Sequence, residues 1–100
     1  MNTEPKKRVL IVEDDPEIRS SFTMIVDSSQ KFTVVNGYGN CEDAIKHLHT
    51  DKPDIVLMDV ELPGGMNGIK GTKIIKEKSP DADIIMVTVY EDSEMVYEAL

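Results

Sequence analysis

Three short unbroken apolar runs, Val9-Leu10-Ile11-Val12, Ile55-Val56-Leu57-Met58 and Ile84-Ile85-Met86-Val87, with Phe32-Thr33-Val34-Val35 as a further strand candidate, restrict this chain more than any other feature. A strand with one face in water alternates apolar with polar residues. A continuous β-branched run instead needs cover on both faces, as the strands of a parallel sheet have. The stretches between the runs read as helices. Asp15 is placed to cap one, with Pro16 at its first position and Ile18, Phe22, Ile25 and Val26 following at helical spacing.

After the strand candidate Phe32-Thr33-Val34-Val35, closed by Gly37-Tyr38-Gly39, Asn40 can cap a helix that carries Cys41, Ala44, Ile45 and Leu48 and stops before Asp51-Lys52-Pro53. Past the turn Pro63-Gly64-Gly65, residues Ile69, Thr72 and Ile75 line a third helix. Its lysines 70, 73 and 76 face water, and Ser79-Pro80-Asp81 ends it. Asp92 or Ser93 can cap a fourth helix holding Met95, Val96 and Ala99. Four strands alternating with four helices predict an open parallel α/β sheet with helices on both faces.

One hundred residues suffice for one small domain with a single core. Lys+Arg 11 against Asp+Glu 19 gives a net charge of -8, and no basic run exceeds Lys6-Lys7-Arg8. Nucleic-acid binding by this chain is not expected, because phosphate contacts need clustered positive charge. No membrane span is expected either, since the longest apolar runs are of four residues and a span needs about 20. Cys41 is the only cysteine. An intramolecular disulfide is therefore impossible, and the expected compartment is the reducing cytoplasm.

In an open parallel sheet, sites gather beyond the carboxyl ends of the strands. Three of the four strand ends carry polar groups: Glu13 and Asp14 after the first, Asp59 after the third and Thr88 after the fourth. Singly, each acid is most simply a helix cap. If the first and third strands are neighbours, however, three carboxylates converge, and like charges a few ångströms apart call for a cation. Hard oxygen donors without His or Cys suit Mg²⁺.

The segments "VLIVEDDPEIRSSF", "PDIVLMDVELPGGMNGIKGTKII" and "ADIIMVTVYEDSEMVYEAL" resemble the response-regulator receiver domain of two-component signalling, from about Lys7 to Leu100. The resemblance implies a flavodoxin-like (CheY-like) doubly wound parallel sheet in three α/β/α layers. It also implies that Asp59 accepts a phosphoryl group from a phosphohistidine of a sensor histidine kinase. Asp14 would bind Mg²⁺ directly, Glu13 mostly through water, and the backbone carbonyl of Glu61 would supply another ligand. Thr88 would hydrogen-bond the phosphoryl oxygens. Self-catalysed transfer and autodephosphorylation are the only catalysis implied, acting as a switch for an output domain outside this chain.

Receiver domains continue into a fifth strand, which ends in a lysine, and a fifth helix, and residues 1–100 hold no match to these. An incomplete receiver is therefore expected. Its open edge would be hidden by self-association or by exchange of an element between copies, or else the remainder would be loosely ordered. A receiver that only mediates protein contacts is the alternative function. A haloacid-dehalogenase-type phosphatase fits less well, because that family places its nucleophile on the first strand with an aspartate two residues on, whereas Asp59 is on the third and precedes Glu61. His47 and His49 are two apart and cannot share a helical face. Cys41 reads as a small core residue, and Tyr90 as a surface loop residue without a switching role.

Overall fold

The structure, a computed structural model, describes residues 5–87. Thr88, Tyr90 and the expected helix after Asp92 lie outside the described residues. The elements are β1 (Lys7–Val12), α1 (Pro16–Asp27), β2 (Phe32–Tyr38), α2 (Cys41–Lys46), α3 (Leu48–Asp51), β3 (Ile55–Asp59), α4 (Gly68–Lys78) and β4 (Asp83–Val87). All strand pairs are parallel, in the order β2-β1-β3-β4. The first and third strands are therefore neighbours, the condition on which convergence of the acids rests. No helix among the described residues is long and apolar enough to cross a membrane.

In the central strands β1 and β3 the runs are continuous because both faces of the sheet are covered there, whereas on the edge strand β4 Ile85 is 50% and Met86 40% exposed among the described residues. Leu10 and Val12 of β1 point into a core with Cys41, Ala44, Leu48, Val56, Met58 and Ile75, on the side of α2 and α4. Val9 and Ile11 alternate to the opposite face and are buried as well. There α1 packs over β2 and β1. Ile18, Phe22 and Val26 of α1 are half-buried, whereas Ile25, counted in the same inward stripe from sequence, is 67% exposed. The i, i+4, i+8 row meets the sheet, and the residue beside that row does not.

Two helices differ from the sequence expectation. The helix expected from Cys41 to beyond Leu48 is broken at His47, whose backbone leaves the helical region at φ −108, ψ 9. The His47 ring stacks on Tyr38 with centroids 5.2 Å apart and planes 8° from parallel, and its Nδ1 lies 2.8 Å from the Asp43 carbonyl. The Tyr38 hydroxyl donates to Asp51 Oδ2 at 2.5 Å. Arg8 holds the same turn by donating from Nη2 to the Asp51 carbonyl at 2.7 Å. The break lets α3 turn Asp51 toward the end of β2.

In α4 the inward face is made by Gly68, Gly71 and Ile75, while Ile69 is 59% exposed. The glycines take the inner positions because there is no room for a side chain. A Cβ on Gly68 would lie 2.1 Å from the Asp59 carbonyl oxygen, and one on Gly71 would lie 2.3 Å from Cys41 Sγ. Lys76, expected simply to face water, donates from Nζ to the carbonyls of Pro80 at 3.0 Å and Ala82 at 2.8 Å. It thereby ties the end of α4 to the start of β4.

Gly71→Ala is expected to lower unfolding stability by about 1–3 kcal/mol through overpacking, despite the helix-propensity gain of about 1 kcal/mol. In a Cys41→Ala background, where the Sγ contact is gone, the same substitution should cost much less. Urea unfolding of the four proteins measures this coupling.

Candidate functional site

The site is built from the carboxyl ends of two adjacent strands. Val12 of β1 pairs with Met58 of β3, so the residues that follow each emerge side by side. The Glu13 N–H donates to the Tyr38 carbonyl at 2.9 Å, extending the β1–β2 ladder one residue past the strand. That bond holds Glu13 against the sheet, where it is only 2% exposed. Its Oε2 accepts the Asp15 N–H at 3.0 Å.

Asp15 serves the helix, as expected from its position before Pro16. Its Oδ1 accepts the N–H groups of Glu17 at 2.8 Å and Ile18 at 3.3 Å. Between these two fixed residues Asp14 is exposed. Asp59 ends β3 opposite Val87, is 8% exposed, and accepts the Glu61 N–H at Oδ1 over 3.0 Å. The structure therefore gives Glu61 a backbone contact to the Asp59 carboxylate itself.

Glu13, Asp14 and Asp59 each offer a carboxylate oxygen, and these oxygens lie within 4.8 Å of one another. Burial pushes the Glu13 carboxyl up to about 7. The Asp14 side-chain hydrogen bond and the charges of Asp59 and Asp14 push in the same direction, and the Asp15 N–H opposes them. The neighbours acting through charge are thus themselves acids. Three hard oxygen donors with excess negative charge, one of them buried, are a donor set that fits a small divalent cation with part of its water shell retained.

Beyond Glu61 the chain turns away through Gly64 and Gly65, with φ of +66° and +51°, a left-handed backbone that suits glycine. Thr88, the expected hydroxyl, lies outside the described residues, directly after the Val87 that pairs with Asp59.

One contributor was passed over in the sequence. Arg19, on the second turn of α1, donates from Nη1 to the Glu13 carbonyl at 2.7 Å. Its partner is a backbone atom, so nothing in the residue pattern announces it. His47 and Cys41 take structural places, the first against Tyr38 and the second buried under Gly71.

Comparison with known proteins gives a match to the family described as "Response regulator receiver domain" over residues 9–100. The chain is similar to the oxygen regulatory protein NreC of Staphylococcus haemolyticus, 29% identical over 93 residues, covering 93% of this chain and 43% of that protein. It is 33% identical over 90 residues to a protein-glutamate methylesterase/protein-glutamine glutaminase of Paramagnetospirillum magneticum, covering 90% of this chain and 25% of that one. The chain thus spans less than half the length of these curated relatives. Among solved structures it resembles the response regulator domain of Thermotoga maritima CheB, with a TM-score of 0.76, 32% identity, and coverage of 95% of this chain and 71% of that one. It also resembles the signal receiver domain of a modulated diguanylate cyclase from Desulfovibrio desulfuricans, with a TM-score of 0.79, 27% identity, and coverage of 93% and 73%.

The raised Glu13 pKa has a signed consequence for stability. With a folded value of about 7 and an ordinary value of 4.5, the folded protein holds a proton that the unfolded chain has released. This contribution is fully present below the ordinary value and is lost as pH rises through the folded one. Without divalent cation, the urea midpoint should therefore fall between about pH 5 and about pH 8. Glu13→Gln should flatten that slope relative to the parent, and millimolar Mg²⁺ should flatten it by stabilising the ionised form.

Proposed function

The chain belongs to the response-regulator receiver family, and on that premise we propose that it is a phosphorylation switch in which Asp59 accepts a phosphoryl group from the phosphohistidine of a sensor histidine kinase. The observation that carries this reading is the meeting of the Glu13, Asp14 and Asp59 carboxylates at the ends of adjacent strands. The donor set fits Mg²⁺, held in this reading by Asp14 and Asp59, by the Glu61 carbonyl, and by Glu13 through water. When bound, the ion neutralises charge on the transferring group.

The chain's own residues do the rest. The Glu61 N–H fixes Asp59 Oδ1, which leaves Oδ2 as the nucleophile. Oδ2 forms the new bond to phosphorus as the phosphorus–nitrogen bond breaks, and the departing imidazole keeps the electron pair. Burial of Asp59 to 8% exposure limits water around the acyl phosphate. Thr88, next to Val87 in sequence, is the proposed hydrogen-bond donor to the phosphoryl oxygens.

Phosphorylation replaces the single negative charge of Asp59 with a phosphoryl group carrying close to −2, a net gain of about one negative charge beside β4. The response is a shift between two surface states, read by an output that in the relatives lies outside the matched span. The proposed compartment is the cytoplasm.

Acetyl phosphate with Mg²⁺ should add one phosphoryl group to the chain, seen by intact mass, and Asp59→Asn should gain none. Asp14→Asn should weaken Mg²⁺ binding about tenfold or more, a loss of roughly 1.4 kcal/mol. Mg²⁺ binding without phosphoryl gain would favour a module that only mediates protein contacts. Turnover of a sugar phosphate would overturn the signalling reading.

A further inference from the structure

The peptide that joins the two acids of the site is held from the helix side by one side chain. Arg19 Nη1 donates to the Glu13 carbonyl at 2.7 Å, a short bond with a charged donor, of the stronger kind. On the other side of Glu13, its N–H is held by the Tyr38 carbonyl at 2.9 Å. With the N–H and the carbonyl of Glu13 both held, the Glu13–Asp14 peptide is restrained through its carbonyl, and its orientation bears on where Asp14 projects relative to Glu13.

The path of the Arg19 stem is also fixed. A Cβ on Gly37 would lie 3.1 Å from Arg19 Cδ and 3.2 Å from its Cγ, and one on Gly39 would lie 3.4 Å from Nη1. The end of β2 thus leaves a slot the depth of a missing side chain, and the arginine lies in it. The helix backbone under it is regular, with the Arg19 N–H bonded to the Asp15 carbonyl at 2.9 Å.

We propose that Arg19 is a positioning residue for the cation site: by holding the Glu13 carbonyl it fixes the Glu13–Asp14 turn in the form that brings both carboxylates to Asp59. This rests on the Mg²⁺ reading above. It also has a distinctive sign. A guanidinium beside a cation site repels the cation, so by charge alone its removal tightens Mg²⁺ binding. By positioning, its removal weakens binding, because an outer group that orients ligands typically contributes about tenfold or more in metal affinity.

The test is Mg²⁺ titration calorimetry on the full chain, with Arg19→Ala, Gly37→Ala and the double variant beside the parent, each checked for the parent's far-UV circular dichroism. The expected result is about tenfold weaker binding for Arg19→Ala. Gly37→Ala crowds the stem without changing charge, so it should give a smaller loss in the parent and none in the Arg19→Ala background. Should Arg19→Ala fail to fold, weaker Mg²⁺ binding by folded Gly37→Ala supports the proposal and unchanged binding overturns it. Unchanged or tighter binding by folded Arg19→Ala, with the parent binding normally, overturns this inference alone, as does an equal Gly37→Ala loss in both backgrounds. A parent that binds no Mg²⁺ overturns the metal reading, and this inference with it.

Discussion

The parallel pairing of Val9–Val12 with Ile55–Met58 is the constraint on which the rest of the structure depends. Two buried strands run in the same direction and in register, so their polar continuations reach the same edge of the sheet. Neither acid cluster needs a special loop to find the other. The apolar ladder brings together charges that would otherwise keep apart, and its own burial offsets that repulsion. The stability of the sheet and the tension at its edge therefore have one origin.

That tension is distributed unevenly. Asp14 keeps contact with water, and Asp59 has the Glu61 N–H on one oxygen. Glu13 is held deepest, by a ladder hydrogen bond to β2, and it carries the shift. A cation bound there would compensate a group that is already poorly solvated. The same sheet thus leaves one carboxylate in solvent and buries the other two at its edge.

Much of this was legible in the residues, and the limits have physical causes. The central strands β1 and β3 could be read because burial on two faces demands unbroken apolar runs. The α1 cap could be read because Asp15-Pro16 satisfies helix ends by local chemistry. The site could be read only conditionally, since adjacency of β1 and β3 is a property of topology and not of either segment. The inward face of α4 was misjudged at Ile69, because Gly68 and Gly71 pack through what they lack and periodicity counts only what is present. Arg19 was passed over, and the stacking of His47 on Tyr38 was not foreseen, because their partners, a carbonyl and a ring on another element, have no signature nearby in sequence.

Gly68 has a mechanical meaning as well as a steric one. Side chains between packed elements act as a compliant layer, since a rotamer change can absorb a small shift of one element before its neighbour feels it. Between the end of β3 and the first turn of α4 that layer is missing, and backbone lies against backbone at Asp59. The joint is stiff. The spacing between the Asp59 peptide and the first turn of α4 is thus set by backbone atoms alone, at the acidic edge of the sheet.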